Sequence, residues 1–381
     1  MLHITQEQMP ARYGHVPSLD GLRALSVVLV LLSHFVSARI FPGSLGVYVF
    51  FVISGFLITR LLLAEEKHTG VISLRKFYIR RAIRLYPVVI AYTLCVVSVY
   101  ILSRRDIDWK QPLGSLFYFA NYVYAPMPRE RWQDTMPFEP LWSLSVEEHF
   151  YFILPALIIL LNKAPRKILI TMVIVCVSCL IYRIILSNIN YDLIYTNYFY
   201  MRTESRIDSL AYGVGMAALC EFDRGRKILA RIASYRGMAI GALILIFTLI
   251  YRDEIFRETF RYSLQGVAIF MCVSGVLFSK TFFAYFLNIS PIKFIGRLSY
   301  SLYVWSIGVP PLIALLLPGR GALQIFLSLG LAFGLASLSY FCLEKPVMRL
   351  RHRFSPAGGA SGLAGAGGEK PSLVRIVGAE K

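Results

Sequence analysis

Charged residues are scarce in this sequence, and acidic ones scarcest of all. Only 16% of the 381 residues are Asp, Glu, Lys or Arg, and 22 acidic side chains stand against 40 basic ones. A soluble domain carries about a quarter charged residues, so this composition excludes an ordinary soluble globular protein. Cysteine is also sparse. The six, Cys95, Cys176, Cys179, Cys220, Cys272 and Cys342, all fall in apolar runs, which excludes a disulfide framework. Cys176 and Cys179 lie close on one helix but have no His or carboxylate nearby in sequence, so no metal site is expected. A P-loop and a dinucleotide fingerprint are both missing, and the two halves of the chain show no obvious repeat.

What is present is apolar. The chain is 56% hydrophobic and 14% aromatic, and its mean hydropathy is positive. It reads as an integral membrane protein. The formal charge of +18 raises nucleic acid as a partner, but the Lys and Arg residues fall between apolar runs rather than along one amphipathic face, so no nucleic acid is expected. Their distribution reads as topology.

Apolar runs long enough to cross a bilayer, roughly 17 to 25 residues each, lie near residues 20–40, 44–63, 85–103, 142–162, 167–187, 206–222, 236–251, 262–279, 294–317 and 322–343. The expectation is an all-α, polytopic transmembrane helix bundle of about ten spans. Residues 112–126, "PLGSLFYFANYVYAP", are shorter and Pro-flanked, and are expected to be re-entrant or interfacial. Placing the N-terminus in the cytoplasm puts the larger share of Lys and Arg in inside loops, so both termini are expected there. The first run loosely resembles a signal peptide, but Asp20 and Arg23 at its start and the spans that follow argue against cleavage. Residues 1–17 are expected as a cytoplasmic segment, 18–350 as the membrane domain and 351–381, rich in Gly, Ala and Ser, as a disordered cytoplasmic tail.

Ionisable residues within spans are functional candidates by default. Of the six histidines only His34 and His149 fall inside apolar runs. From Arg23 to His34 is about three helical turns plus about 20°, with a rise of about 16 Å, so both share one face of the first helix. The plain alternative is a snorkelling Arg and a hydrogen-bonded structural His. "RRAIRLYP" places Arg81 and Arg84 one turn apart with Arg80 beside them, a cluster of forked donors suited to phosphate oxygens; the alternative is an ordinary positive-inside flank. "LWSLSVEEHFY" sets Ser143, Glu147 and Tyr151 on one stripe of a helix, with Glu148 a step round. Two adjacent carboxylates at the mouth of a span need a ligand or a partner, for instance His149 or Arg206, unless they stay wet. One of them is suited to orient the imidazole of His34, as the third member of a catalytic triad does. "RTESRIDSLAYG" adds Arg206 and Asp208, candidates for contacts to sugar hydroxyls, and "IGRLSYSLY" adds Arg297 as a basic anchor. Gly55, Gly213 and Gly215 are expected to allow close helix packing.

The Arg, ten residues, His pattern after "SLDGLRAL" resembles acyltransferase family 3, membrane proteins that O-acylate bacterial surface polysaccharides, peptidoglycan, lipo-oligosaccharides and some small natural products. "GVYVFFVISGFLITR", "FYIRRAIRLYP", "LWSLSVEEHFYFILP", "RIDSLAYGVGMA", "IGRLSYSLYVW" and "EKP" follow in the family's order over nearly the whole chain. One departure is Ser306, where family members usually carry His after the Trp of "SLYVW". The resemblance implies a membrane-bound O-acyltransferase of a bacterial inner membrane, with acyl-CoA, most often acetyl-CoA, as donor substrate and no bound cofactor. It assigns Arg81 and Arg84 to the nucleotide end of the donor, and Glu147 matches the family's usual glutamate. His34, Glu147 and Tyr151 are then the catalytic candidates, Arg23, Arg80, Arg81 and Arg84 the donor-binding ones, and Glu148, Arg206 and Asp208 the acceptor-binding ones. The implied acceptor is a glycan or glycolipid presented from outside or within the membrane lipid. Two routes stay open: His34 as general base, or His34 as carrier of the acyl group. The sequence has no room for the extracytoplasmic hydrolase-like domain that some relatives append, so transfer is expected to finish in the membrane domain or on a separate partner. A rival from another class is a glycolipid or polysaccharide transporter or flippase with the same charges lining a path; a purely structural scaffold fits so many intramembrane charges poorly.

Overall fold

The computed structural model describes residues 18–38, 40–129, 135–279, 282–316 and 321–350. The expected N-terminal segment 1–17 and tail 351–381 lie outside the described residues. The described chain is helical almost throughout, and its one β-bridge joins Pro128 to Thr196. Three long helices open it: α1 (Leu19–Phe35), α2 (Gly43–Thr69) and α3 (Leu74–Leu102). Two short ones follow, α4 (Lys110–Leu116) and α5 (Ala120–Tyr124), before α6 (Trp142–Leu160) and α7 (Pro165–Ile189). A broken stretch, α8 (Tyr198–Met201), α9 (Thr203–Arg206) and α10 (Asp208–Leu219), leads to α11 (Asp223–Ile232), α12 (Tyr235–Ile250) and the single turn α13 (Glu254–Glu258). The last part comprises α14 (Phe260–Phe278), α15 (Phe282–Leu287), α16 (Ser290–Ser306), α17 (Val309–Leu316), α18 (Ala322–Ser339) and α19 (Lys345–Leu350).

Local chemistry sets the boundaries. Gly70 takes a left-handed φ of 74° to end α2, which a Cβ would strain. The Ser73 side chain accepts from the Lys76 amide to start α3, and Asp253 does the same for Phe256 at α13. Residues 112–126 form the two short helices α4 and α5, neither long enough to cross a bilayer. Tyr118 between them has a φ of 58°, unusual for a side chain with a Cβ.

Among the described residues six helices are long and apolar enough to span a membrane, or seven if the α11 and α12 pair, bent by 66°, counts as one crossing. The protein is therefore a multi-pass membrane protein. Several runs expected as spans are shorter as single helices: α1 and α16 have 17 residues each and α10 has 12. At the start of α10 the chain breaks where Asp208 is held by Arg183 of α7.

Helix α1 packs on α2 and α16, α2 on α10, α10 on α7, and α12 on α14. Membrane helices approach this closely through small residues. A Cβ at Gly55 of α2 would stand 2.2 Å from the Leu210 carbonyl of α10, and one at Gly213 2.0 Å from the Val52 carbonyl of α2. Gly215 does not share that role; its nearest neighbour is a Leu169 methyl at an ordinary 3.6 Å.

Candidate active site

Two cavities meet inside the bundle. The inner one, about 70 Å³, is walled by α1, α2, α3, α6 and α16 and collects Arg23, Arg81, Arg84, Ser143 and Glu147 with Ser54 and Tyr300. The outer one, about 450 Å³, holds His34, Glu139, Arg129, Arg257, Glu258 and Arg261. Val47 and Tyr303 line both, so these two side chains stand between them. The Ser143 and Tyr303 hydroxyls are 2.7 Å apart, and Tyr303 also donates to the Pro140 carbonyl, which ties α6 to α16 at the junction.

Several wall residues are held in place by named partners. Arg81 donates to Glu148 Oε1 at 3.0 Å, and its guanidinium lies 3.9 Å from the centre of the Tyr151 ring. A planar cation clamped between carboxylate and ring loses rotamer freedom. Its Nε is buried with no hydrogen-bond partner among the described residues. Tyr151 turns its hydroxyl back to Glu147 Oε1 at 3.3 Å; of the Ser143, Glu147 and Tyr151 stripe, Ser143 and Glu147 line the inner cavity and Tyr151, a catalytic candidate from sequence, lines neither cavity. Tyr300 donates to the Leu85 carbonyl at 2.7 Å and holds α16 against α3. Glu344, buried in a π-helical turn over Tyr340–Glu344, accepts from Ser301 and fixes the other side of α16.

Comparison with known proteins settles the family. Residues 16–342 match the model of the acyltransferase domain of acyltransferase family 3. The chain belongs to this family. It is 29% identical over 350 residues to the O-acetyltransferase OatA of Staphylococcus aureus (strain NCTC 8325 / PS 47), a match covering 88% of this chain and 57% of that protein. A protein of S. aureus strain COL with a provisional O-acetyltransferase name is 30% identical over 347 residues, 87% of this chain and 57% of its own length. The chain thus spans somewhat more than half the length of the curated relatives it matches. No solved structure matches.

Within the acyltransferase domain, some sequence candidates are brought together and others are not. Arg23 and His34 do share the inward face of α1, each lining a cavity that includes Val47. Arg84 lines the inner cavity with Arg81; Arg80 does not, because it is paired to the buried Glu65 of α2 at 2.6 Å. Glu147 lines the inner cavity, not that of His34, so it is not the imidazole's orienting carboxylate. The carboxylates lining the outer cavity with His34 are Glu139 and Glu258. Glu148, expected on the acceptor side, is the ion partner of Arg81. His149 bonds Thr203 through Nδ1 at 2.7 Å and takes no part in that pair. Asp208, expected to meet sugar hydroxyls, is sealed in a 2.9 Å ion pair with Arg183, both side chains 0% exposed. Arg183 also donates to the Ser205 carbonyl and to Ser263 Oγ. Arg206 is 1% exposed. Its guanidinium lies 4.6 Å from the Tyr48 ring centre and 4.2 Å from that of Tyr262, behind the outer cavity wall rather than in it. Ser306 bonds the Tyr303 carbonyl of its own helix.

Sequence reasoning missed Glu139, Tyr303, Arg257 and Arg261. Glu139 carried a signal, a carboxylate beside Pro140 just before an apolar run. Tyr303 carried only its place in "SLYVW", and the two arginines looked like loop charge.

Proposed function

We propose that this chain transfers an acyl group, acetyl in the simplest case, from acyl-CoA to a hydroxyl of a glycan or glycolipid. The single observation behind this reading is the junction at Val47 and Tyr303. An arginine-lined cavity on one side and a histidine-lined cavity on the other offer separate access to an anionic donor and a hydroxylic acceptor. The domain sits in a bacterial inner membrane with about ten crossings, the shorter helices completing spans together with their flanking segments. Both termini are cytoplasmic.

The donor enters from the cytoplasm with its phosphates near Arg23, Arg81 and Arg84. The inner cavity is too narrow for a nucleotide but admits a thin thioester arm, so the nucleotide stays at the mouth. His34 takes the proton of the acceptor hydroxyl as that oxygen attacks the thioester carbonyl. The C–S bond breaks, the thiolate leaves and recovers a proton, and an O-acyl ester remains. Tyr303 and Ser143 are placed beside the carbonyl's path, and Arg81, held by Tyr151 and Glu148, is a positioned cation. A transporter reading finds less support, since family membership favours group transfer over passage.

The test is purified protein in lipid nanodiscs with radiolabelled acetyl-CoA and a candidate glycan extract. His34→Ala should fold and bind acetyl-CoA normally and lose about 10²- to 10⁴-fold of transfer rate. Near-normal transfer by that variant would sink the reading.

A further inference from the structure

The outer cavity has a surplus of positive charge that no step described so far uses. Arg129, Arg257 and Arg261 line it together with His34. Glu258, 2% exposed, takes Arg129 at 2.9 Å and Arg261 at 3.9 Å. Glu139 lines the same cavity but forms no ion pair with any of the three among the described residues. Glu258 thus serves two of the three guanidiniums, and Arg257 is in no ion pair among the described residues. The Nε atoms of Arg257 and Arg261 are both buried without a hydrogen-bond acceptor there. Guanidiniums that line a cavity in excess of their carboxylate partners favour an anionic ligand. Burial first, and then the adjacent Arg261, hold the Arg257 guanidinium below its ordinary value despite Glu258, the mark of a cation short of negative charge. Behind the wall, Arg206 adds a further cation packed on the Tyr48 and Tyr262 rings.

We propose that Arg257 and Arg261 form an oxyanion site that holds a carboxylate or phosphate of the acceptor while its hydroxyl is presented to His34. A loop lock built on Glu258 accounts for Arg129 and Arg261 but gives Arg257 nothing to do. A planar fork in a cavity is suited to a two-oxygen anion and poorly matched to a neutral sugar. The donor's phosphates are excluded from this role, because they belong on the other side of Val47 and Tyr303. The acceptor is therefore an acidic glycan or one still joined to a phosphate. This assignment rests on the acyl-transfer reading for the word acceptor, but the site itself is tested without any acyl-CoA.

Diethyl pyrocarbonate, which carbethoxylates an accessible imidazole, is applied to the full chain in nanodiscs, and His34 modification is followed by mass spectrometry. Glucuronate, inorganic phosphate and glucose are added as probes at matched ionic strength. Glucuronate or phosphate should slow His34 modification and glucose should not. Protection by glucuronate alone assigns a sugar carboxylate, by phosphate alone a phosphate-linked acceptor, and by both an anion site selective for charge. Arg257→Gln with Arg261→Gln should weaken protection roughly tenfold or more, while Arg252→Gln, an exposed arginine outside the cavity, should leave it unchanged. Should the double variant fail to fold, Arg257→Gln alone carries the test, since it breaks no ion pair. Equal protection by glucose, no protection by either anion, or full protection in a folded Arg257→Gln protein would overturn the proposal. Near-normal transfer by the His34→Ala protein would sink the acyl-transfer reading and leave this result standing, so the two ideas fail separately.

Discussion

Two buried arginine and carboxylate pairs in this bundle look alike in sequence and differ in what surrounds them. Arg183 and Asp208 lie 2.9 Å apart with both side chains 0% exposed, sealed between α7 and α10. Arg81 and Glu148 lie 3.0 Å apart with 12% and 20% exposed, and Arg81 faces a cavity. The first pair is closed: its charges answer one another and the Ser205 carbonyl. In the second, Arg81 presents a guanidinium held by a ring and a carboxylate to open space. An intramembrane charge is a candidate for function, but access to a cavity, not burial, separates the open pair from the closed one.

That contrast breaks or sharpens under mutation. The largest effect is expected at the sealed pair: Arg183→Ala leaves Asp208 buried and alone, costing about 3–5 kcal/mol, read as a large fall in thermal stability by fluorescence-detected size exclusion. Arg183→Met combined with Asp208→Leu should recover most of it, because removing both charges removes the desolvation penalty as well. An Arg183→Ala protein as stable as wild type would erase the distinction from that side. Next comes the open site, where Arg84→Ala should weaken acetyl-CoA binding by about 1.5–3 kcal/mol with little change in melting temperature. Unchanged donor affinity in isothermal titration would reduce the arginines to a topological flank. The smallest effect belongs to Arg80, which sits between the two classes. Arg80→Ala should cost on the order of 1 kcal/mol of stability through its part-buried pair with Glu65 and leave donor affinity alone; loss of affinity instead would return Arg80 to the donor site.

The helical, membrane-embedded character and the inward face shared by Arg23 and His34 were legible in the sequence, because both follow from periodicity and from the length of apolar runs. Arg81, Arg84 and Glu147 were singled out through their motifs, but the sequence grouped Glu147 with His34, whereas it lines the cavity of the two arginines. The division of the site was not legible. Glu147 and Glu148 are adjacent in sequence, yet one faces the inner cavity and the other turns to Arg81, since neighbours on a helix point about 100° apart.

Composition and pattern alone determined that this chain enters a membrane, folds as helices and keeps a few charges inside, since hydrocarbon leaves the backbone no other partners. Only the tertiary structure decided which charges cancel and which remain on offer. Whether Asp208 meets a substrate or Arg183, and whether His34 faces Glu147 or the arginines of α13 and α14, depends on side chains brought together from distant segments. Local sequence carries no record of that distance: Arg183 and Asp208 are 25 positions apart, and His34 and Arg257 come from opposite halves of the chain.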